Sequence, residues 1–84
     1  MTTQRAILEA LEMTNGYLLP RRTLLADAAR LKGQEILLGE LKAELAKLEG
    51  KRQVVSIVEE DDGGDIEVRT QYRITGNGKA RLRE

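Results

Sequence analysis

The sequence predicts a small α+β domain in which three helices precede a two-stranded β-hairpin. Apolar residues recur at helical spacing as far as residue 49, and from Gln53 the spacing changes to the alternation of a β-strand. The 84 residues suffice for one modest core, so residues 1–84 are predicted to form a single domain. The chain has no Phe and no Trp, so aliphatic side chains must fill that core.

The first predicted helix begins at Thr3, whose side chain can accept a hydrogen bond from the free backbone N–H groups of a helix start. Its buried face is expected to hold four apolar residues: Ile7, Leu8, Ala10 and Leu11. Asn15-Gly16 supplies the left-handed residue that ends this helix. Residues 17–19 then predict a short strand, because the residue before Pro20 favours an extended conformation.

Two further helices follow Pro20. The second is predicted to end at Gly33 and to bury four residues: Leu24, Leu25, Ala28 and Leu31. The third is predicted from about Leu37 to Glu49, with Gly50 as its end. Its leucines are expected to dock inward as one stripe: Leu38, Leu41, Leu45 and Leu48. Gly39 interrupts this helix at a cost of about 1 kcal/mol relative to Ala.

The hairpin is predicted from a β-branched run at residues 54–58, the turn residues D-D-G-G at 61–64, and an alternating run at residues 66–74. A two-residue turn at either Asp62-Gly63 or Gly63-Gly64 fixes which side chains share the buried face. That face would contain Val55, Ile57, Val68, Thr70 and Tyr72. G-N-G at residues 76–78 is expected to release the chain into a short basic tail, residues 79–84.

Two stretches resemble the winged helix-turn-helix superfamily. L-K-A-E-L-A-K-L-E-G-K-R-Q-V-V, residues 41–55, is similar to the third helix of winged-helix regulators passing into the first wing strand. Y-R-I-T-G-N-G-K-A-R-L, residues 72–82, is similar to the strand and turn that close the wing. G-Y-L-L-P, residues 16–20, also resembles small winged-helix proteins encoded by phages and prophages. The resemblance covers nearly the whole chain and implies three helices followed by a hairpin wing.

In DNA-binding members of that superfamily the third helix enters the major groove and the wing touches the flanking backbone or minor groove. The resemblance therefore implies a DNA-binding, transcription-regulatory module. Basic side chains are the candidates for contact with the DNA backbone: Arg21, Arg22, Lys51, Arg52, Arg69 and Arg73. Arg21 and Arg22 are the first choice, because the backbone N–H groups at a helix start also suit phosphate.

Two observations favour a protein partner instead. Fourteen basic and fourteen acidic residues cancel, whereas DNA-binding domains usually carry a basic excess. The predicted outer face of the third helix contains no Arg, Asn or Gln with which to read base edges. Its residues are Gly39, Glu40, Lys42, Ala43, Ala46, Lys47 and Gly50. A face of small side chains suits close approach by a protein partner or a homodimer mate, although Ala is also simply a good helix former.

The predicted wing tip is acidic. Its carboxylates are Glu59, Glu60, Asp61, Asp62 and Asp65, followed by Glu67. Duplex phosphate would repel them, so the tip is not expected to lie on a DNA backbone. A solvated turn is the first interpretation, and a basic protein partner or a weak metal site are the alternatives. The spacing lacks that of an EF-hand, so no metal site is predicted.

Composition argues against catalysis. The chain has no His and no Cys, which removes the imidazole base, the thiolate nucleophile and the usual zinc ligands. The only serine, Ser56, lies within a predicted strand without a visible base. No cofactor or small-molecule ligand is predicted. The charged N-terminus resembles neither a secretory signal nor a membrane span, so the sequence predicts a cytoplasmic protein.

Overall fold

The computed structural model describes residues 1–58 and 70–84, which form four helices and one three-stranded antiparallel sheet. The helices are α1 (Thr3–Glu12), α2 (Arg21–Lys32), α3 (Leu38–Gly50) and α4 (Gly76–Leu82), and the strands are β1 (Leu19–Pro20), β2 (Val54–Val58) and β3 (Thr70–Ile74). The α+β class is therefore confirmed. Within the described residues, none of the helices is long and apolar enough to cross a bilayer.

Helix α1 forms one wall of the core. All four residues predicted for its buried face are buried, and Ala6 joins them. The predicted cap is wrong by one residue, because the hydroxyl of Thr2 accepts the bond from the Arg5 N–H, at 3.2 Å. Asn15 and Gly16 do adopt left-handed φ values of 56° and 92°, but α1 itself ends earlier, at Glu12.

Helix α2 follows β1 in the chain and packs against α1. Its boundaries agree with the prediction, with Pro20 at the N-cap and Gly33 in the left-handed conformation, at a φ of 76°. Leu24 and Ala28 are buried, whereas Leu25 and Leu31 are partly buried and pack against the same core. The predicted stripe therefore faces inward, as the helical spacing requires.

Helix α3 buries three of its four predicted leucines. Leu41, Leu45 and Leu48 are at most 1% exposed, but Leu38 is 43% exposed, so its predicted docking is wrong. Ile36, two residues before the helix, is buried instead, at 3% exposure. The chain enters α3 from this core-facing isoleucine, so Leu38 begins the helix at the edge of the core.

The strand register differs from the predicted one. Strand β3 is the middle strand, paired antiparallel with both β1 and β2. A two-residue turn at either predicted position would pair Val55 with Thr70 or Tyr72, whereas Val55 pairs with Arg73. A slip of one residue turns a strand's side chains to the other face, so Val54 is buried and Ile57 is 41% exposed.

The buried face of β3 is as predicted within the described residues. Thr70 and Tyr72 are buried together with Ile74. The predicted partner Val68 and the predicted turn lie outside the described residues.

The predicted basic tail is wrong, because residues 76–82 form helix α4. The hydroxyl of Thr75 caps this helix by accepting from the Gly78 N–H, at 3.2 Å, and donates to the Arg52 carbonyl oxygen, at 2.6 Å. Gly78 is buried beneath Gln53 and Ile74. The G-N-G segment therefore docks the chain against the start of β2.

Candidate nucleic-acid interface

Two basic segments meet where the turn between α3 and β2 contacts α4. The guanidinium of Arg81 donates to the side-chain oxygen of Gln53 at 2.8 Å, and the Thr75 N–H donates to the Gln53 carbonyl at 3.1 Å. These bonds join two segments that are distant in sequence. Their basic residues are Lys51, Arg52, Lys79, Arg81 and Arg83, which we call the basic end. Lys51, Arg52 and Arg83 are exposed, and the other two are partly exposed.

The other predicted phosphate contacts lie in different places. Arg73 is exposed on β3, next to Ile74, which pairs with the first residue of β2, so it adjoins the basic end. Arg21 and Arg22 follow β1, at the opposite edge of the sheet. Two strand spacings of about 4.8 Å separate the two edges. Arg69 lies outside the described residues.

Arg21 joins α2 to β3. Its Nη2 and Nε donate to the hydroxyl oxygen of Tyr72 at 2.7 and 3.1 Å, and its guanidinium carbon lies 5.6 Å from the ring centre. This arrangement gives the polar tip of a buried tyrosine its hydrogen-bond partner. Arg21, predicted as a contact to the DNA backbone, thus holds Tyr72 within the domain, whereas Arg22 beside it is exposed.

The outer face of α3 consists of small residues. Gly39, Ala43, Ala46 and Gly50 are exposed and follow one line of the helix opposite the buried leucines. A Cβ added at either glycine would have no atom within 4 Å. Lys47 is exposed and Lys42 is partly exposed, on the two sides of this line. Whether this face contacts a partner stays a prediction.

Glu40 is exposed, and its carboxylate also reaches α1 and α2. It accepts from the Thr3 hydroxyl at 3.3 Å and lies 3.9 Å from the ammonium group of Lys32. One turn later, Glu44 accepts from the Gln4 amide at 2.6 Å and from Lys47 at 3.3 Å. Two acidic groups of α3 are therefore tied to intramolecular donors, which reduces the repulsion that α3 would present to phosphate.

The bonds to Glu44 shift its titration. The Gln4 amide is the largest cause that lowers the pKa of this carboxyl below its ordinary value, and Lys47 adds to the effect against the opposing cost of burial. Because the folded-state pKa is the lower one, the unfolded chain takes up the proton first as the pH falls. The stabilisation is complete above the unfolded-state pKa and is lost as the pH falls through the folded-state pKa.

We therefore expect the free energy of unfolding of Glu44→Gln to depend less on pH in the acid range than that of the wild type. Urea unfolding of the wild type between about pH 6 and pH 3 should show a steeper fall in the free energy of unfolding than the variant does. Glu35→Gln, which removes an exposed carboxylate before α3, is the control and should keep the wild-type slope. Equal slopes for the wild type and Glu44→Gln would contradict the assignment.

The predicted acidic wing tip lies outside the described residues. Glu59, Glu60, Asp61, Asp62 and Asp65 all belong to residues 59–69. The protein-partner and metal alternatives for this tip therefore stay predictions.

Comparison with protein-family models, with curated proteins and with solved structures gave no match to this chain. The interface must therefore be inferred from contacts within the molecule. Sequence reasoning missed the bond between Arg81 and Gln53, which joins the two halves of the basic end. The sequence did contain one indication of α4: threonine is a preferred N-cap residue, so Thr75 could have predicted a helix that begins at Gly76.

Proposed function

We propose that this chain is a non-catalytic winged-helix module that binds duplex DNA through backbone contacts, as transcription-regulatory members of that superfamily do. Support comes from the element order, in which three helices precede two antiparallel strands, β2 and β3. Strand β3 also pairs with the short strand β1 between α1 and α2. The lack of His and Cys in the sequence agrees with a binding role.

The basic end carries the proposal. The bond between Arg81 and Gln53 brings one cation of α4 to the segment of Lys51 and Arg52, whereas Glu40 and Glu44 of α3 bond within the molecule. A local excess of positive charge attracts phosphate even when the whole chain is neutral. Lys79 and Arg83 are four residues apart, a spacing that puts two side chains on the same side of a helix.

The proposed binding has little sequence preference. The exposed line of α3 offers Gly and Ala, which have no donor or acceptor in their side chains with which to distinguish base pairs. Phosphate contacts position a protein on DNA without reading its sequence. The affinity should therefore be similar for duplexes of different sequence and should fall steeply with salt.

Removing two charges from the basic end should weaken DNA binding. Fluorescence anisotropy with a labelled duplex at several salt concentrations compares the wild type with a Lys51→Gln, Arg52→Gln double variant. We expect a loss of about tenfold at low salt and a salt slope shallower by about 2, because each phosphate contact contributes about 0.9 to that slope.

The matched control removes two arginines from elsewhere. Arg5→Gln with Arg30→Gln deletes equal charge from α1 and α2, where both side chains pair with carboxylates four and three residues away. This variant should bind within about twofold of the wild type. No binding by the wild type at low salt, or equal losses in the two double variants, would refute the proposed interface.

A further inference from the structure

The two edges of the sheet differ in how they are protected. Strand β3 is the middle strand, so β1 and β2 each have one side without a neighbouring strand among the described residues. The β1 edge is two residues long and includes Pro20, which has no N–H to pair with another chain. Strand β2 is five residues long, V-V-S-I-V, and contains no proline and no charged residue. Its edge therefore lacks the usual protection against pairing with another strand.

The register of β2 on β3 determines which backbone groups lie on this edge. The Thr75 N–H donates to the Gln53 carbonyl oxygen at 3.1 Å, so these two residues form a hydrogen-bonded pair at the end of the ladder. Bonded and non-bonded pairs alternate along an antiparallel ladder. Counted from Gln53, the residues of β2 that bond to β3 are therefore Val55 and Ile57.

Ser56 and Val58 consequently direct their backbone N–H and C=O groups away from β3. Both residues are exposed, and no hydrogen bond to these outward groups is observed among residues 1–58 and 70–84. The side chains of Ile57 and Val58 are 41% and 46% exposed, on opposite faces of the strand. Val54 is buried, so the accessible edge is the second half of β2. This edge combines unpaired backbone donors and acceptors with exposed β-branched side chains.

From these groups we propose that β2 of a second copy of this chain pairs antiparallel with β2, about a two-fold axis at Ile57. Ser56 of each copy then exchanges hydrogen bonds with Val58 of the other, which satisfies the outward groups of both residues. Ile57 faces its own copy in a non-bonded pair, where side chains are closest. The sheets of the two copies become one continuous sheet.

A second copy fits this edge better than a foreign strand does. It satisfies two unpaired edges in one contact, whereas a foreign strand satisfies the edge of this chain alone. It also brings no charged side chain to the contact, because β2 has none. Cross-strand pairs of β-branched residues stabilise a sheet, and the pair at the axis is of this kind.

This interface goes beyond the proposed DNA binding and is independent of it. The pairing residues belong to the second half of β2, whereas the basic end lies before β2 and in α4. None of the variants below changes a basic residue of the wild type. Loss of one property therefore leaves the other measurable.

Sedimentation across a range of concentrations tests the association directly. The wild type should show a monomer–dimer equilibrium below about 1 mM. Ile57→Lys should remain monomeric, because its two lysines would lie directly opposite each other at the axis. Gln71→Lys adds the same charge to the middle strand, opposite Ile57, and should dimerise within about threefold of the wild type. A monomeric wild type, or a dimeric Ile57→Lys, would overturn the proposal.

A proline at residue 58 tests the backbone pairing. Val58→Pro removes the N–H that points outward and keeps the bonds of β2 to β3, as edge strands tolerate. The dimer Kd should rise about thirtyfold, because the symmetric interface loses two hydrogen bonds. Val58→Thr keeps the N–H and the β-branched shape, so its Kd should stay within about threefold of the wild type. Equal Kd values for the two variants, with folding verified by circular dichroism, would reject the edge pairing.

Single cysteines report the orientation, since the natural chain has no Cys that could interfere. Ile57 lies at the proposed axis, so Ile57→Cys should form an intermolecular disulfide with its own copy. Val55→Cys should not, because its copies would be roughly 13 Å apart along the strands. Disulfide formation by Val55→Cys as fast as by Ile57→Cys would indicate parallel strands and defeat the proposal.

Discussion

Gly78→Ala is expected to lower the free energy of unfolding by about 2–4 kcal/mol, a large part of the stability of a domain of this size. An added Cβ at this position would overlap the carbonyl oxygen of Gln53 and lie 2.7 Å from Cγ1 of Ile74. The Gln53 carbonyl also accepts from the Thr75 N–H, so it cannot move without loss of that bond. Either α4 or the start of β2 must shift. Urea unfolding measures the loss.

Gly76→Ala is the matched control within the same helix. Its added Cβ would have no atom within 4 Å, and the residue is exposed at the first position of α4. Alanine is the better helix former, so this change should be neutral or stabilise the protein by up to about 1 kcal/mol. Similar unfolding energies for the two variants would show that α4 does not pack on Gln53 as described.

Gly78→Ala also has a consequence for the basic end. Helix α4 contributes three of its five cations, Lys79, Arg81 and Arg83. A variant that remains folded with a displaced α4 would therefore separate these cations from Lys51 and Arg52. The stability measurement and the DNA titration therefore both report on the packing of Gly78 against Gln53.

Leu45→Ala is expected to cost about 2–5 kcal/mol of unfolding free energy. Leu45 lies in the middle of the buried stripe of α3 and is 1% exposed. Truncation removes its buried methyl groups and leaves a cavity that the surrounding side chains fill only in part. Thermal or urea unfolding of the variant measures the loss.

Leu38→Ala provides the comparison in the same helix. Leu38 is 43% exposed, so truncation removes less buried surface, and alanine is well tolerated in a helix. We expect a cost below about 1 kcal/mol. A cost for Leu38→Ala equal to that for Leu45→Ala would mean that Leu38 docks inward in solution, as its spacing alone suggested.

Local features of the sequence determined much of the fold. The three-and-four spacing of apolar residues identified the buried faces of α1 and α2, and Gly33 ended α2 because glycine tolerates the left-handed conformation. Alternation placed Thr70 and Tyr72 on the inner face of β3. These properties depend on residues within one or two turns of each other, so they can be read along the chain.

The tertiary structure decided what depends on distant partners. The register of β2 on β3 buries Val54 rather than Val55, because it is set by packing against the helices and not by the alternation of β2 alone. Ile36 rather than Leu38 fills one end of the core. Sequence spacing cannot choose between such neighbours when both are apolar.

The candidate interface likewise depends partly on the sequence and partly on the tertiary structure. The sequence supplied each basic residue and the small residues of α3, but it left residues 51–52 and 79–83 in separate segments. Only the docking of α4, through Gly78 and the bond between Arg81 and Gln53, brings those two segments together. Charge composition is a property of the chain, whereas the positions of charges in space depend on contacts that the folded structure alone provides.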